Sequence, residues 1–261
     1  MRKTPRETGA TRLSAIVDIE IGSAVGALPF ALICSCYETK QMNREEVLET
    51  LAYLEKTSPD VFGAKNHGFR LNKPCGEEGV LSFERASKIR LPDDYRKFIS
   101  LIGNGGAGPD YGIFQLGTMQ DQGYNCGTWQ QEVGNIAEDF PYSLETSADN
   151  EEGGKPNLFV VGPYGYKRRH RGAIAPNEHA NLEWHTGAVN GAIPVCHGGC
   201  GYFFWLVISG VEAGHLWFDN RAAELGFEPI LSESGNSTSF DRWYMDWLEA
   251  SVRKSHTGSV A

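Results

Sequence analysis

The stretch that most constrains the fold is "GYFFWLVIS", in which every residue from Tyr202 to Ile208 is apolar or aromatic. A run this short, rich in aromatic and β-branched side chains, reads as a strand. Because no polar residue alternates through it, both of its faces must be covered. A layered molecule provides that. The segments on either side, "AIPVCH" (192–197) and "GHLWFD" (214–219), read as partner strands, and the turn "SGVEAG" makes the second junction a hairpin. A further strand, "LFVVG", begins at Leu158.

Helical patterns bracket these strands. Asn43 stands three residues before Glu46, a capping-box arrangement, and Val47, Leu48, Leu51 and Leu54 form one stripe that Pro59 ends. A second helix is expected over 92–103. Pro92 fits its first position, Asp93 and Asp94 suit its positive end, and Tyr95, Phe98, Ile99 and Ile102 face a core. The closing segment "SFDRWYMDWLEASVRK" carries Phe240, Trp243, Tyr244, Trp247, Leu248 and Val252 on one face. Between the first two helices the reading is a loop over 63–79 and a strand "VLSFE" over 80–84. "YGIFQLG" from Tyr111 is read as a strand, and 118–157 as loops with one short helix.

Hydrophobic residues make up 41% of the 261-residue chain, enough for a packed core. The formal net charge of -9 argues against a nucleic-acid partner, whose phosphates need a basic face, and favours a basic one. Six cysteines, at 34, 36, 75, 126, 196 and 200, are too few for a disulfide scaffold. They read as reduced thiols of a cytoplasmic protein. The apolar stretch 21–34 is short for a membrane span and abuts Asp18 and Glu20. Residues 1–41 are therefore expected to be a loose extension or a start assigned too far upstream, with an export signal or a packed element as the alternatives. The domain is expected over 42–255 and a tail over 256–261.

Several motifs look like chemistry. "GNGGAG" (103–108) matches the dinucleotide fingerprint, but that fingerprint requires a strand before the glycines and a helix after them. Here a helix precedes and a strand is expected to follow, so the glycines are read as turn residues, beginning with a left-handed helix cap at Gly103. "QGYNCGTW" (122–129) resembles a papain-like thiol box out of register, with Thr128 at the nucleophile's position. "CHGGC" places Cys196 and Cys200 at a zinc-compatible spacing with only one pair of ligands, leaving them weak metal candidates in a glycine turn. "KRRHR" (167–171) reads as a solvated basic loop. No catalytic set and no cofactor is indicated by these motifs.

Three blocks together resemble the SUKH superfamily, which includes fungal cell-wall assembly regulators and bacterial immunity proteins. The first is Leu91, Pro92, Tyr95 and Phe98 followed by Asn104, Gly105 and Gly106, similar to the family's "LPxxYxxFLxxxNGG" signature. The second is "AIPVCHGGCGYFFWLVISGVEAGHLWFDNRA", with Gly198, Gly199, Gly201 and Trp205 in its turn and strand; the third is the closing helix with Trp243 and Trp247. The resemblance spans about residues 43 to 252. It implies an α+β fold, one SUKH-like domain with helices packed on a curved, mostly antiparallel sheet. It also implies a non-catalytic protein-binding role: neutralising a toxin domain, nuclease- or deaminase-like, by covering its active site. A scaffold or regulatory module is the alternative, and a small-ligand binder a further one. The expected partner is a protein, such as a basic toxin domain, with neither nucleic acid nor membrane. Trp217, Asp219 and Arg221, at the end of "GHLWFDNR", are the candidate partner-binding residues if exposed.

Overall fold

Asn43 starts the first helix, α1 (Arg44–Thr57), by accepting the amides of Glu45 and Glu46 on its Oδ1 at 2.9 and 3.3 Å. Two of the donors a helix N-terminus leaves open are thereby satisfied. The helix ends at Ser58, held left-handed at φ 42° with its amide on the Leu54 carbonyl. Val47, Leu51 and Leu54 are buried. This is a computed structural model; it describes residues 42–119, 129–144, 159–161, 167–169, 186–223, 226–232 and 234–257. The chain divides into two units, Met1–Lys40 and Gln41–Ala261, and the described residues lie in the second.

The region between α1 and the second expected helix is more helical than its sequence suggests. A short α2 (Ala64–His67) and a longer α3 (Gly76–Ser87) occupy it, so "VLSFE" is helix and not strand. The run is too short for its period to be decisive. It lies inside a longer amphipathic helix with Glu77 and Glu78 in its first turn, and at its end Glu84 Oε1 accepts the Leu91 amide at 3.0 Å and pairs with Arg96 at 3.3 Å. The next helix is α4 (Asp93–Lys97), continued by a π-helical turn, Phe98–Ile102. Pro92 lies just outside α4 in an extended conformation (ψ 137°), one position earlier than expected. The wide turn hands the Ile99 carbonyl to α3's start, where the Cys75 amide donates to it at 3.1 Å and the thiol at 3.3 Å.

After the short α5 (Trp129–Glu132) come the strands β1 (Phe159–Val161), β2 (Lys167–Arg169), β3 (Ala192–Gly199), β4 (Tyr202–Val207), β5 (Leu216–Asp219) and β6 (Phe227–Leu231). They form one antiparallel sheet in the order β1-β2-β6-β5-β4-β3. Two strands were not expected. The basic run contains β2, paired to Leu231 and Ile230 rather than looping free. β6 is masked in sequence by Pro229, which lies just beyond the end of the β2 pairing, where its missing amide matters less. "YGIFQLG" forms isolated bridges and no strand: Ile113 bridges to Gly106 and Cys196, and positive φ at Asp110 and Gly112 interrupts extension. The final helix, α6 (Phe240–Thr257), continues past the expected boundary at 255.

Strands β3 to β6 are covered on both sides, as the apolar β4 requires. Phe204, Leu206, Leu216, Phe218 and Ile230 face the helical core, where the Phe204 and Trp243 rings stand 5.1 Å apart. Trp205, Val207, Trp217 and Phe227 face a second apolar cluster built from Phe140, Tyr142, Ala188 and Val189. The molecule is α+β.

Candidate functional site

The glycine loop is built into the core. Every residue from Ile102 to Asp110 is buried. The Gly106 amide donates to the Ile113 carbonyl and the Ala107 amide to the Arg70 carbonyl, both at 2.8 Å. Gly103 is extended (φ -169°) and not a left-handed cap; what requires glycine there is Leu71, whose side chain lies 2.8 Å from where a Cβ would stand. Left-handed geometry appears at Gly105 (φ 85°) and Gly106 (φ 101°), where a Cβ would meet backbone atoms at 2.8 and 2.5 Å. Asn104 completes the turn by accepting the Leu116 amide on Oδ1 at 3.0 Å. These amides offer nothing to a phosphate.

The other residues of the sequence blocks have structural places as well. Leu91, Tyr95, Phe98, Trp205, Trp243 and Trp247 are buried. Gly199 and Gly201 flank Cys200 in a turn with three successive positive φ angles, 90°, 51° and 83°. Gly198 precedes them at the end of β3.

The candidate partner residues on β5 are not open to a partner. Trp217 is 0% exposed, with Phe140 5.3 Å away. Asp219 is 2% exposed. Its carboxylate takes a two-pronged contact from Arg221, Nε at 2.9 Å and Nη2 at 2.6 Å, while the guanidinium lies 4.8 Å over the Phe227 ring. The exposure that an interface at Trp217 and Asp219 would need is missing, because alternation along β5 turns both toward the second apolar cluster. The cysteine pair is divided: Cys196 is buried with its thiol on the Pro109 carbonyl at 3.1 Å, whereas Cys200 is exposed. Among the described residues no group of three or more His, Cys, Asp or Glu side chains is placed to hold a metal ion, and no helix is long and apolar enough to cross a membrane. The thiol-like box at 122–128, His170 and Arg171 lie outside the described residues.

One polar cluster looks catalytic by residue type. Glu212 accepts from His215 Nδ1 at 3.2 Å, Ser237 Oγ at 3.3 Å and the Leu144 amide at 2.8 Å. Burial raises its pKa, yet the His215, Leu144 and Ser237 hydrogen bonds and the His215 charge bring it below the usual carboxylate value. The order is wrong for nucleophile activation, which needs the histidine between hydroxyl and carboxylate. Here the carboxylate is in the middle, and it ties the β4–β5 turn to two other segments.

The surface feature that stands out is a ladder of four rings. Phe62, in the α1–α2 connection, stands edge-on to Tyr111 at 5.2 Å; Tyr111 stacks on His197 at 5.3 Å, and His197 on Phe203 at 5.2 Å. Phe62 is 53% exposed, while Tyr111, His197 and Phe203 are half-buried. The ladder starts beside α2, crosses the 110–114 segment and ends on β3 and β4, next to the exposed Cys200 turn. Gly199 makes room for it, since a Cβ there would stand 2.9 Å from the Tyr111 ring.

No family model, no curated protein and no solved structure matches this chain.

The ladder escaped the sequence reading because its members come from three separate segments, the 62 region, the 111 region and the β3–β4 hairpin. His197 was legible only as part of "CHGGC", and Phe62 and Tyr111 sit in segments with no periodic pattern. The usable signal was the glycine clustering at 103–112 and 198–201, which marks where backbone and rings approach closely.

Proposed function

We propose that this protein is a non-catalytic binding domain that occludes a surface of another protein. In the reading its SUKH resemblance implies, it neutralises a toxin domain by covering the active site. The observation that carries the proposal is the ladder Phe62–Tyr111–His197–Phe203. Aromatic side chains already stacked on a sheet lose little conformational freedom on binding, and such residues dominate the energetics of protein interfaces. A half-exposed phenylalanine at the head of the ladder supports contact with an apolar or aromatic group of the partner. The neighbouring small residues Gly201, Ala222 and Ala223 are exposed and permit close approach. The net charge of -9 supports a basic partner, captured faster at low salt.

The test is capture from the native host followed by measurement on the purified pair. A stoichiometric partner whose toxicity is relieved by this chain is expected. Phe62→Ala combined with Tyr111→Ala should weaken binding at least tenfold and leave the Tm within a few degrees. Unchanged affinity in the double variant moves the interface elsewhere. Substrate turnover by the protein alone overturns the reading.

A further inference from the structure

His67 lies in the core, 2% exposed, between the Phe69 ring at 5.4 Å and the Trp247 ring of α6 at 5.7 Å. Its Nδ1 accepts the Phe69 amide at 3.0 Å. An amide only donates, so Nδ1 carries a lone pair and the proton of the neutral ring sits on Nε2. Phe69 is left-handed at φ 58°, a conformation unfavourable for a residue with a Cβ. The imidazole lone pair is thus what anchors a strained backbone.

The same strained region mounts the head of the ladder. Gly63, directly after Phe62, lies so close to the 110–111 backbone that a Cβ would fall 1.7 Å from the Asp110 carbonyl oxygen. Asp110, directly before Tyr111, is also left-handed at φ 47°. Gly112 packs on the His67 ring, its virtual Cβ 3.4 Å from Cδ2. The segments carrying Phe62 and Tyr111 therefore meet each other and His67.

We propose that His67 is an acid-operated latch: protonating Nδ1 removes the acceptor of the Phe69 amide, sets two donors against each other, and releases the segments that hold Phe62 and Tyr111. The chemistry requires no other group, since the ring gains one proton and loses one hydrogen bond. Burial supports the direction by pushing the His67 pKa down to about 4; the Gly108 backbone opposes it weakly without completing a hydrogen bond to Nε2. A neutral ring in the closed state and an ordinary one in the open state make opening more favourable as pH falls. The other titratable or charged groups around the ring are Lys65 on α2, Arg70 with its partner Glu55, Asp110, and, within one turn of Trp247 on α6, Asp246, Glu249 and Tyr244, whose hydroxyl donates to the Ala107 carbonyl. The latch acts on the ladder named above as the binding surface, but it is read with no partner present, so either idea can fail alone.

The experiment is amide hydrogen exchange of the full chain at pH 7 and pH 5, corrected for intrinsic rates, with a parallel NMR titration of the His67 ring. For a closed pKa of about 4 and an open one of 6.5, the opening equilibrium at residues 63–71 and 106–113 should rise about twentyfold between the two pH values. Exchange in β4 and β5 should rise much less. His67→Asn keeps an acceptor near the Nδ1 position and cannot titrate, and all the other charged groups remain, so its exchange should be nearly independent of pH. A rise of equal size in the sheet, the same pH dependence in His67→Asn, or a ring that titrates near 6.5 in the folded protein would each overturn the latch. The ring titration needs no variant, so the proposal stays testable should His67→Asn fold poorly.

Discussion

Glycine at position 63 shows how a single residue can be demanded by the fold for two separate reasons. Its φ of 75° is unfavourable for other residues, and the Asp110 carbonyl occupies the volume a Cβ would need. Gly214 offers the comparison: its φ is 91°, but nothing lies within 4 Å of its virtual Cβ. Gly214→Ala should therefore cost about 1 kcal/mol, the conformational part alone. Gly63→Ala adds an unavoidable backbone collision and should cost about 3 kcal/mol or more. Urea unfolding of the two variants checks this. Equal losses would mean that the 62–64 segment can move off Asp110 freely.

At the scale of the element, the end of β5 is closed by a clasp. Asp219 and Arg221 hold each other where the strand gives way to the 221–223 turn, and the guanidinium covers Phe227 of β6. Buried ion pairs contribute little over an apolar substitute, but removing one partner strands the other. Asp219→Ala should accordingly destabilise the fold by about 3 kcal/mol, a loss to be read as a lower Tm and a lower urea midpoint. A variant as stable as the parent would show that the clasp contributes nothing net to the fold. The π-helical turn at Phe98–Ile102 works at the same scale. It redirects one carbonyl from its own helix to the start of α3, and Arg44 of α1 takes the Leu101 carbonyl at 2.9 Å. One irregular turn thus ties two helices to a third.

For the whole molecule, the unit Gln41–Ala261 has its own core, and Met42 belongs to it at 4% exposure. A chain beginning at Met42 is expected to be soluble and to melt cooperatively, with a Tm within a few degrees of the full chain, because the core cluster from Met42 to Leu248 is built from that unit's own residues. Differential scanning calorimetry of the two chains decides the matter. A broad or much lower transition would show that the first forty residues complete the fold.

Much of this architecture is legible in the sequence. The Asn43 cap, the apolar face of α6 and the continuous apolar β4 are local patterns in which side-chain order alone selects the element and says that both sheet faces are covered. What sequence could not decide were the places where long-range partners choose. "VLSFE" belongs to a twelve-residue helix whose buried face, Val80 and Glu84, meets Leu91 and Arg96 only in the folded chain. The basic run became a strand because β6 offered it a ladder, and Trp217 and Asp219 went inward because a second apolar cluster covers that face. The ladder is tertiary in its first half. His197 and Phe203 face each other across the β3–β4 hairpin, but Phe62 and Tyr111 come from distant segments, and they join because glycines at 63 and 199 allow approaches that no side chain would permit.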